Sequence, residues 1–439
     1  MNHLLKTKTL ELNHNRFNMK SYNMKSSNMK SSNIKSSNIK SSNLKLLNMK
    51  YGPTIKNQDF HEDLFIILNK YKSEIDNINK DTWNKYKSYV NNYEMIYSNK
   101  ITKNNVSTYL PISRAYFKLW EILNNFDLID NKAHLNLLCI AEGPGGFIEA
   151  IYNYRKKNNN NDNSAMCMTL KSENKTVPSW SKANHFLKYN PTIKLSYGED
   201  NTGNIYHVEN IRFLIHKFKY RKANLVTADG GFDFSSDYNN QEQTSYQLIM
   251  CEIISALGCL NKNGHFIIKI FEIFTTFTVK ILYFLTFFFE KVYIHKPLSS
   301  RNLNSEKYVI CKGFLGIHPN LLEELLTVID EWNKLTLDNK YVSDIFNFNT
   351  PKEFNELIQA YNVDYVKNNI YNILKTLTYI NLNLSSKNVD SLKQHLYILA
   401  SLWCQKNDIG INYKIPLLNK EYLTFHTYSQ QSYLAEENQ

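Results

Sequence analysis

The sequence predicts an α/β fold: a mostly parallel sheet whose last strand runs antiparallel, flanked by mainly helical N- and C-terminal segments. Three observations predict it. The short apolar run 137–140 leads through a glycine turn, Ala141-Glu142-Gly143-Pro144-Gly145-Gly146-Phe147, into a helix-like stretch from Ile148, which reads as buried strand, tight turn and helix. Runs 225–228 and 265–270 read as two further buried strands, the first ending at Asp229 and the second carrying Lys269 near its end. Residues 291–296 and 308–312 read as two more, joined through Pro297-Leu298-Ser299-Ser300-Arg301, a connection short enough for an antiparallel hairpin.

Taken in chain order, residues 1–50 come first and repeat with a five-residue period, from Asn18-Met19-Lys20 to Asn48-Met49-Lys50. Five residues advance a helix by about 500° and alternate faces in a strand, so neither element gains a buried face. A pentapeptide solenoid is the structured alternative, but so few copies leave its core without neighbours. The expectation is a disordered basic tail, whose removal leaves the melting temperature unchanged and weakens binding of an anionic partner. Residues 51–110 read as a helical extension covering the cofactor side of the sheet, 111–315 as the sheet domain, and 316–439 as a helical C-terminal region. The apolar stretch 279–290 is too short to span a bilayer, which takes about 20 residues, and reads as the helix between the third strand and the hairpin. Trp332, Tyr341 and Trp403 are read as core aromatics.

In open α/β sheets the ligand crevice lies outside the carboxyl ends of the parallel strands, so Asp229 and Lys269 belong at that crevice with the glycine turn. An antiparallel last strand brings its first residues to the same edge and adds Glu306, and the helical stretch around Lys118 packs beside the turn. Taken singly, Lys118 reads as a solvated helix lysine, Asp229 as a turn residue and Glu306 as a hairpin carboxylate. Lys269 is different: it interrupts the apolar strand Phe266-Ile267-Ile268-Lys269-Ile270-Phe271, where an unpaired ammonium is costly. A nicotinamide dinucleotide fingerprint needs G-x-G-x-x-G and an acid about 20 residues on. Here the glycines are crowded and the next strand, 165–169, ends without a carboxylate.

With these residues in place, the stretch from Pro111 to about Leu315 resembles the FtsJ/RrmJ-like ribose 2′-O-methyltransferases, and within them the eukaryotic and viral mRNA cap enzymes. The resemblance implies a Rossmann-like, S-adenosylmethionine-dependent methyltransferase fold. It places the family's Lys-Asp-Lys-Glu tetrad on Lys118, Asp229, Lys269 and Glu306. The cofactor contacts fall on Ser113, on Ala141, Glu142, Gly143, Pro144, Gly145, Gly146 and Phe147, and on Asp200, Gly203 and Asn204 of a second loop, 197–205. No metal is implied. Asp229-Gly230-Gly231-Phe232, where ribosomal-RNA members carry Met-Ala-Pro after the Asp, favours the cap branch, as do Lys296-Pro297-Leu298-Ser299-Ser300-Arg301 and Asn304-Ser305-Glu306-Lys307-Tyr308-Val309. The second loop is shorter and less acidic than in animal cap enzymes. The implied partner is RNA, capped mRNA above all, with association with capping or transcription machinery and no membrane.

A ribose 2′-hydroxyl is a poor nucleophile that must be held in line and relieved of its proton. Desolvation and a second lysine lower an ammonium's pKa, while the two carboxylates hold the pair. Lys269 is therefore expected to orient or deprotonate the hydroxyl, Asp229 and Glu306 to position it, and Lys118 to tune the field.

Charge supports this only locally. Residues 1–50 contain ten Lys or Arg and one acid, so they carry +9 of the formal +12 and the body is nearly neutral. The six cysteines lie in apolar runs without C-x-x-C spacing, and the N-terminus has no signal-peptide core, which suits an intracellular setting, nuclear or cytoplasmic. Three rival readings are a structured-RNA or ribosomal-RNA 2′-O-methyltransferase, a noncatalytic RNA-binding scaffold on the same fold, and a dehydrogenase.

Overall fold

The structure, a computed structural model, describes residues 8–12, 46–55, 58–98, 104–173, 177–231 and 240–415. Its strands are β1 (Lys8–Leu12), β2 (Leu47–Gly52), β3 (Leu135–Ile140), β4 (Asn163–Met168), β5 (Ile193–Ser196), β6 (Ala223–Ala228), β7 (Leu260–Ile270), β8 (Phe289–Lys296), β9 (Lys307–Phe314) and β10 (Tyr341–Phe346). Eight of them form one sheet in the order β5-β4-β3-β6-β7-β9-β8-β1. β5, β4, β3, β6 and β7 pair in parallel, whereas β9 runs antiparallel to both β7 and β8. The mostly parallel sheet with an inserted antiparallel last strand is as expected.

Continuous apolar strands arise because both faces are covered. All six residues of β3 are buried. Leu138 and Ile140 face a core shared with helices Val208–Lys217, Tyr246–Cys259, Thr276–Leu285 and Pro319–Leu337. Leu137 and Cys139 face the opposite core, with helices Ala115–Phe126, Gly146–Lys157 and Ser386–Lys406. The same alternation along β7 puts Ile267 on the second face and Ile268 on the first, so Lys269 returns to the second face, where the Lys118 helix packs. Strand order reverses between β3 and β6, which makes their C-terminal ends the switch point where ligands bind. Among the described residues, no helix is long and apolar enough to cross a membrane.

Two flanking expectations are corrected. The helical extension, Glu62–Ser73 and Lys80–Ser88, covers the β7–β9 half of the edge rather than the glycine-turn half: Phe60 N–H donates to Phe274 O, and Lys72 pairs with Glu272 at 2.8 Å. The 30-residue helix Lys352–Asn381, which no sequence signal singled out, packs against both helices around Leu68, Trp83, Phe274, Tyr365 and Ile373. Trp332 and Trp403 are buried as expected, whereas Tyr341 is 47% exposed. The second correction concerns the N-terminal segment. Most of its repeat lies outside the described residues, but the last copy, Asn48-Met49-Lys50, falls in β2, and both ends of the segment are built into sheets: β1 pairs antiparallel with β8 from Lys8↔Lys296 to Leu12↔Val292, and β2 pairs with β10. Thr9 Oγ1 and His295 Nδ1 are 2.8 Å apart, and Leu12 and Leu47 sit in the core. The reason is tertiary: Thr9-Leu10-Glu11-Leu12 alternates like a strand, and the edge of β8 offers the backbone partners that a five-residue strand cannot supply alone. Deleting residues 1–50 is therefore expected to lower the melting temperature, since burying each leucine is worth about 1.5–3 kcal/mol. A thermal melt of the truncated protein matching that of the full chain would contradict this.

Candidate active site

Sheet register assembles the four charged residues. Ile268 of β7 lies beside Ala228 at the end of β6, so Lys269 comes level with Asp229. On the other side Lys269 pairs with Tyr308 of β9, which leaves Glu306, one residue before that strand, at the same edge. Lys118 reaches the edge from helix Ala115–Phe126. Its ammonium is 2.7 Å from Glu306 Oε1 and donates to Oε2 at 2.8 Å. Lys269 Nζ donates to the Asp229 carbonyl oxygen at 2.8 Å and lies 3.2 Å from Oδ1. The four side chains keep 12–16% exposure, which removes most solvent screening yet leaves each open to a ligand.

Burial alone would lower the Lys269 pKa, but Asp229 and Glu306 outweigh it and hold the ammonium above its ordinary value. The expected depression is thus overruled by the two carboxylates, Asp229 first. Burial would raise Glu306, yet Lys118, Lys296 and Lys269 together hold it well below the usual carboxylate range. Both groups therefore stay ionised at neutral pH.

A supporting ring escaped the sequence reading. Tyr308 donates its hydroxyl to Asp229 Oδ1 at 3.0 Å, a role legible in hindsight because Glu306 and Tyr308 share a strand face. Ser300 Oγ donates to Glu306 Oε1 at 2.8 Å. Lys296 Nζ ties the same loop together by donating to Ser300 Oγ, Asn304 O and Glu306 O at 3.0, 2.8 and 2.7 Å. Burial, with Lys307 and Lys118 adding to it and Glu306 opposing, lowers its pKa to about 7. One turn beyond Lys118, Glu121 accepts from Leu298 N, Ser299 N, Ser299 Oγ and Trp403 Nε1, so one helix fixes both the carboxylate and the loop that carries it.

Under Asp229 and Gly230 lies Glu252, fully buried, with Oε1 making no hydrogen bond among the described residues. Burial raises its pKa to about 8 despite Lys269 nearby. The folded carboxyl thus keeps a proton that the unfolded chain releases from about 4.5 upward, so its contribution to stability falls as pH rises from about 4.5 to about 8 and is level above that. Glu252→Gln is expected to gain stability relative to the wild type across that window. A difference in melting temperature that stays constant from pH 5 to pH 9 would refute this.

The glycine turn lies at the end of β3 as expected, with Ala141 at φ 55° and Gly145 at φ 105°, a region that favours glycine. Ala141, Gly143 and Pro144 are part-exposed at the edge. Glu142 and Phe147 have buried side chains, the Glu142 carboxyl near Cys139 and Thr227 and the Phe147 ring against Tyr308. Gly146 opens helix Gly146–Lys157, which has no side-chain cap, and the space of its missing Cβ is taken by Ser113 Oγ, itself without a hydrogen-bond partner among the described residues. In the second loop Asp200 serves the loop itself. It accepts from Thr202 N, Thr202 Oγ1 and Asn210 Nδ2 and lies 2.6 Å from His207 Nδ1. Burial would raise its pKa, but these partners, His207 first, hold it below the usual carboxylate range. Asn204 Oδ1 accepts from Tyr206 N, and Gly203, at φ 67°, packs against the Thr169 carbonyl. The structure therefore brings the four charged residues and the glycine turn to one edge, and the second loop to the end of β5, two strands from β3. A cavity of about 310 Å³ lined by Asp59, Gln243, Trp332 and Tyr341 includes none of these residues.

Residues 111–314 match the model of the FtsJ-like methyltransferase family. The chain is 29% identical over 321 residues to the cap-specific mRNA (nucleoside-2'-O-)-methyltransferase 1 of Mus musculus, covering 69% of this chain and 37% of the relative. It is 30% identical over 233 residues to the corresponding methyltransferase 2 of Drosophila melanogaster, 51% of this chain and 33% of the relative. To methyltransferase 1 of Dictyostelium discoideum it is 33% identical over 223 residues, 48% and 29% of the two chains. The match thus spans about a third of each relative's length.

Proposed function

We propose that this chain, which carries an FtsJ-like methyltransferase domain over residues 111–314, methylates the ribose 2′-hydroxyl of a cap-proximal nucleotide of mRNA with S-adenosylmethionine as donor. The observation that carries the reading is the pairing of Lys118 with Glu306 and of Lys269 with Asp229 at one sheet edge, beside a glycine turn at the switch point.

The residues at the turn fit the donor: part-exposed Ala141, Gly143 and Pro144 allow close backbone approach, and the uncapped start of helix Gly146–Lys157 offers N–H groups to a carboxylate. Ser113 Oγ, buried and unpartnered among the described residues, is a further donor there. S-adenosylmethionine, when bound, supplies a sulfonium methyl group for the hydroxyl oxygen. The chain's part is to hold that oxygen. Lys269 has one N–H on the Asp229 carbonyl and one toward its carboxylate, which leaves the third for the ribose hydroxyl. With both carboxylates keeping it protonated in this arrangement, Lys269 orients the nucleophile rather than waiting as a free base, and the hydroxyl proton is released to water at this part-exposed edge as the oxygen gains the methyl group. Asp229, braced by Tyr308, fixes the direction of the ammonium, and Glu306, matched by Lys118, keeps a negative charge beside it. Such positioning is worth far more in a site largely screened from water. This reading puts the chain in the nucleus or cytoplasm, where capped RNA is made and kept.

Methyl transfer from labelled S-adenosylmethionine to two RNAs of one sequence, capped and uncapped, tests the substrate. Preferential labelling of the capped RNA is expected. Equal labelling of both would move the assignment to structured RNA.

A further inference from the structure

The helical extension outside the matched domain ends against the catalytic loop. Helix Lys80–Ser88 leads into Asn91, whose Oδ1 accepts from Asn302 N at 3.2 Å, and into Glu94, which accepts from Arg301 Nε at 2.9 Å and Nη2 at 2.7 Å. Arg301 and Asn302 belong to the same loop as Glu306. Glu94 also lies 3.9 Å from Arg114, whose Nη1 and Nη2 donate to the carbonyls of Tyr93, Glu94, Tyr97 and Ser299. This carboxylate is thus committed, and burial, which would raise its pKa, is outweighed by Arg301, Arg114 and Lys87.

Two cations remain. Arg301 is held rigidly by its Nε–Nη2 edge, while Nη1 has no partner among the described residues and the side chain is 39% exposed. Lys87, in the last turn of the helix, is half-buried, and its ammonium makes no hydrogen bond or ion pair among the described residues. Burial and the Arg301 charge both lower its pKa, with Lys80 adding to them and Glu94 opposing. The end of the helix that carries Lys87 is tied to the Arg301 loop through Asn91 and Asn302, and two cations brought to one junction are unfavourable unless an anion joins them. A guanidinium fixed by Glu94 with Nη1 free among the described residues, together with an ammonium, is a donor set that suits a phosphate.

We propose that Lys87 and Arg301 hold a phosphate of the RNA substrate beside the catalytic loop, so that the helical extension acts as part of the RNA site. The inference rests on the function proposed above and specifies that Lys87, outside the matched domain, acts with Arg301 inside it to read the substrate. The phosphate belongs either to the RNA chain or to the triphosphate bridge of the cap, which share the chemistry.

Lys87→Gln keeps the length of the side chain and removes the charge. Lys85→Gln makes the same change on the same helix at an exposed lysine that lies over the Tyr86 ring. Binding of a short capped oligoribonucleotide and of a cap dinucleotide is measured across a salt series for the wild type and both variants. For Lys87→Gln the oligoribonucleotide should bind about three- to tenfold more weakly, with a salt slope reduced by about 0.7, the share of one phosphate contact on a single strand. KM for RNA should rise more than kcat falls, S-adenosylmethionine affinity should stay unchanged, and Lys87→Arg should restore binding. Loss confined to the oligoribonucleotide assigns the phosphate to the RNA chain, and loss with the dinucleotide as well assigns it to the cap bridge. Equal affinity and slope in folded Lys87→Gln, or the same loss in Lys85→Gln, would overturn the clamp while leaving the methyltransferase reading intact. A wild-type protein that binds neither probe would overturn both.

Discussion

Lys269→Met is expected to reduce methyl transfer at least about a hundredfold, the scale on which a positioned acid–base or orienting group acts, with S-adenosylmethionine affinity held within a few-fold. The side chain enters the site from the sheet rather than from the glycine turn, so its loss should spare cofactor binding. Methionine is preferred to alanine because the stem of Lys269 fills space above the Phe271 ring, with Nζ 5.9 Å from its centroid, and a cavity there would confuse stability with chemistry. Asp229→Asn should produce a loss of similar size. It keeps an acceptor for Tyr308 but removes the charge that holds the Lys269 ammonium in place. Circular dichroism melts establish that each variant is folded, and isothermal calorimetry measures cofactor affinity. Near-normal turnover in either folded variant would remove the tetrad assignment.

Gly145→Val is expected to abolish measurable S-adenosylmethionine binding and to lower the melting temperature as well. Two effects combine. At φ 105° a β-branched residue is strained by about 1–3 kcal/mol, and a Cβ there would stand 2.6 Å from the Trp180 ring, too close for either group to stay in place. Trp180 is buried against the turn, so the strain cannot be relieved toward solvent. The Trp180 contact separates the two effects: in a Gly145→Ala/Trp180→Ala double variant the clash disappears and the φ strain remains, so cofactor affinity should recover only in part. A folded Gly145→Val protein that binds the cofactor as the wild type does would show that the turn only connects strand to helix.

The central sheet was legible because its strands are buried on both faces and therefore read as unbroken apolar runs, and because Lys269 interrupts one of them where no exposed face exists to receive it. The convergence of Asp229, Lys269 and Glu306 followed from strand direction alone, without knowledge of side-chain positions. Other features lacked a local signal. β1 is five residues long and gains its stability from the edge of β8, a partner nearly 300 residues away in sequence, so a charge-rich repeat next to it masked it. Helix Lys352–Asn381 buries a broad, mixed surface that includes Asn362, Asn369 and Asn372, which blurs the apolar stripe that periodicity depends on. Glu142 shows a further limit: a position within the glycine turn could be assigned, but the inward direction of its side chain depends on the left-handed Ala141 before it. Lys269 itself was located correctly, yet the sign of its pKa shift depended on how close Asp229 and Glu306 come to it, which only the assembled site reveals.

The claim that the Lys269–Asp229 edge directs methyl transfer to a ribose 2′-hydroxyl is tested most directly with two capped RNAs that differ at one atom. In the first, the cap-proximal nucleotide carries its 2′-hydroxyl, and in the second that position is 2′-deoxy. Each is incubated with labelled S-adenosylmethionine and the purified protein, then digested to nucleosides. Label is expected only in the 2′-O-methyl nucleoside of the first RNA, absent with Lys269→Met, and none at that position in the second. Label on a base, or equal labelling of the deoxy RNA, would contradict it.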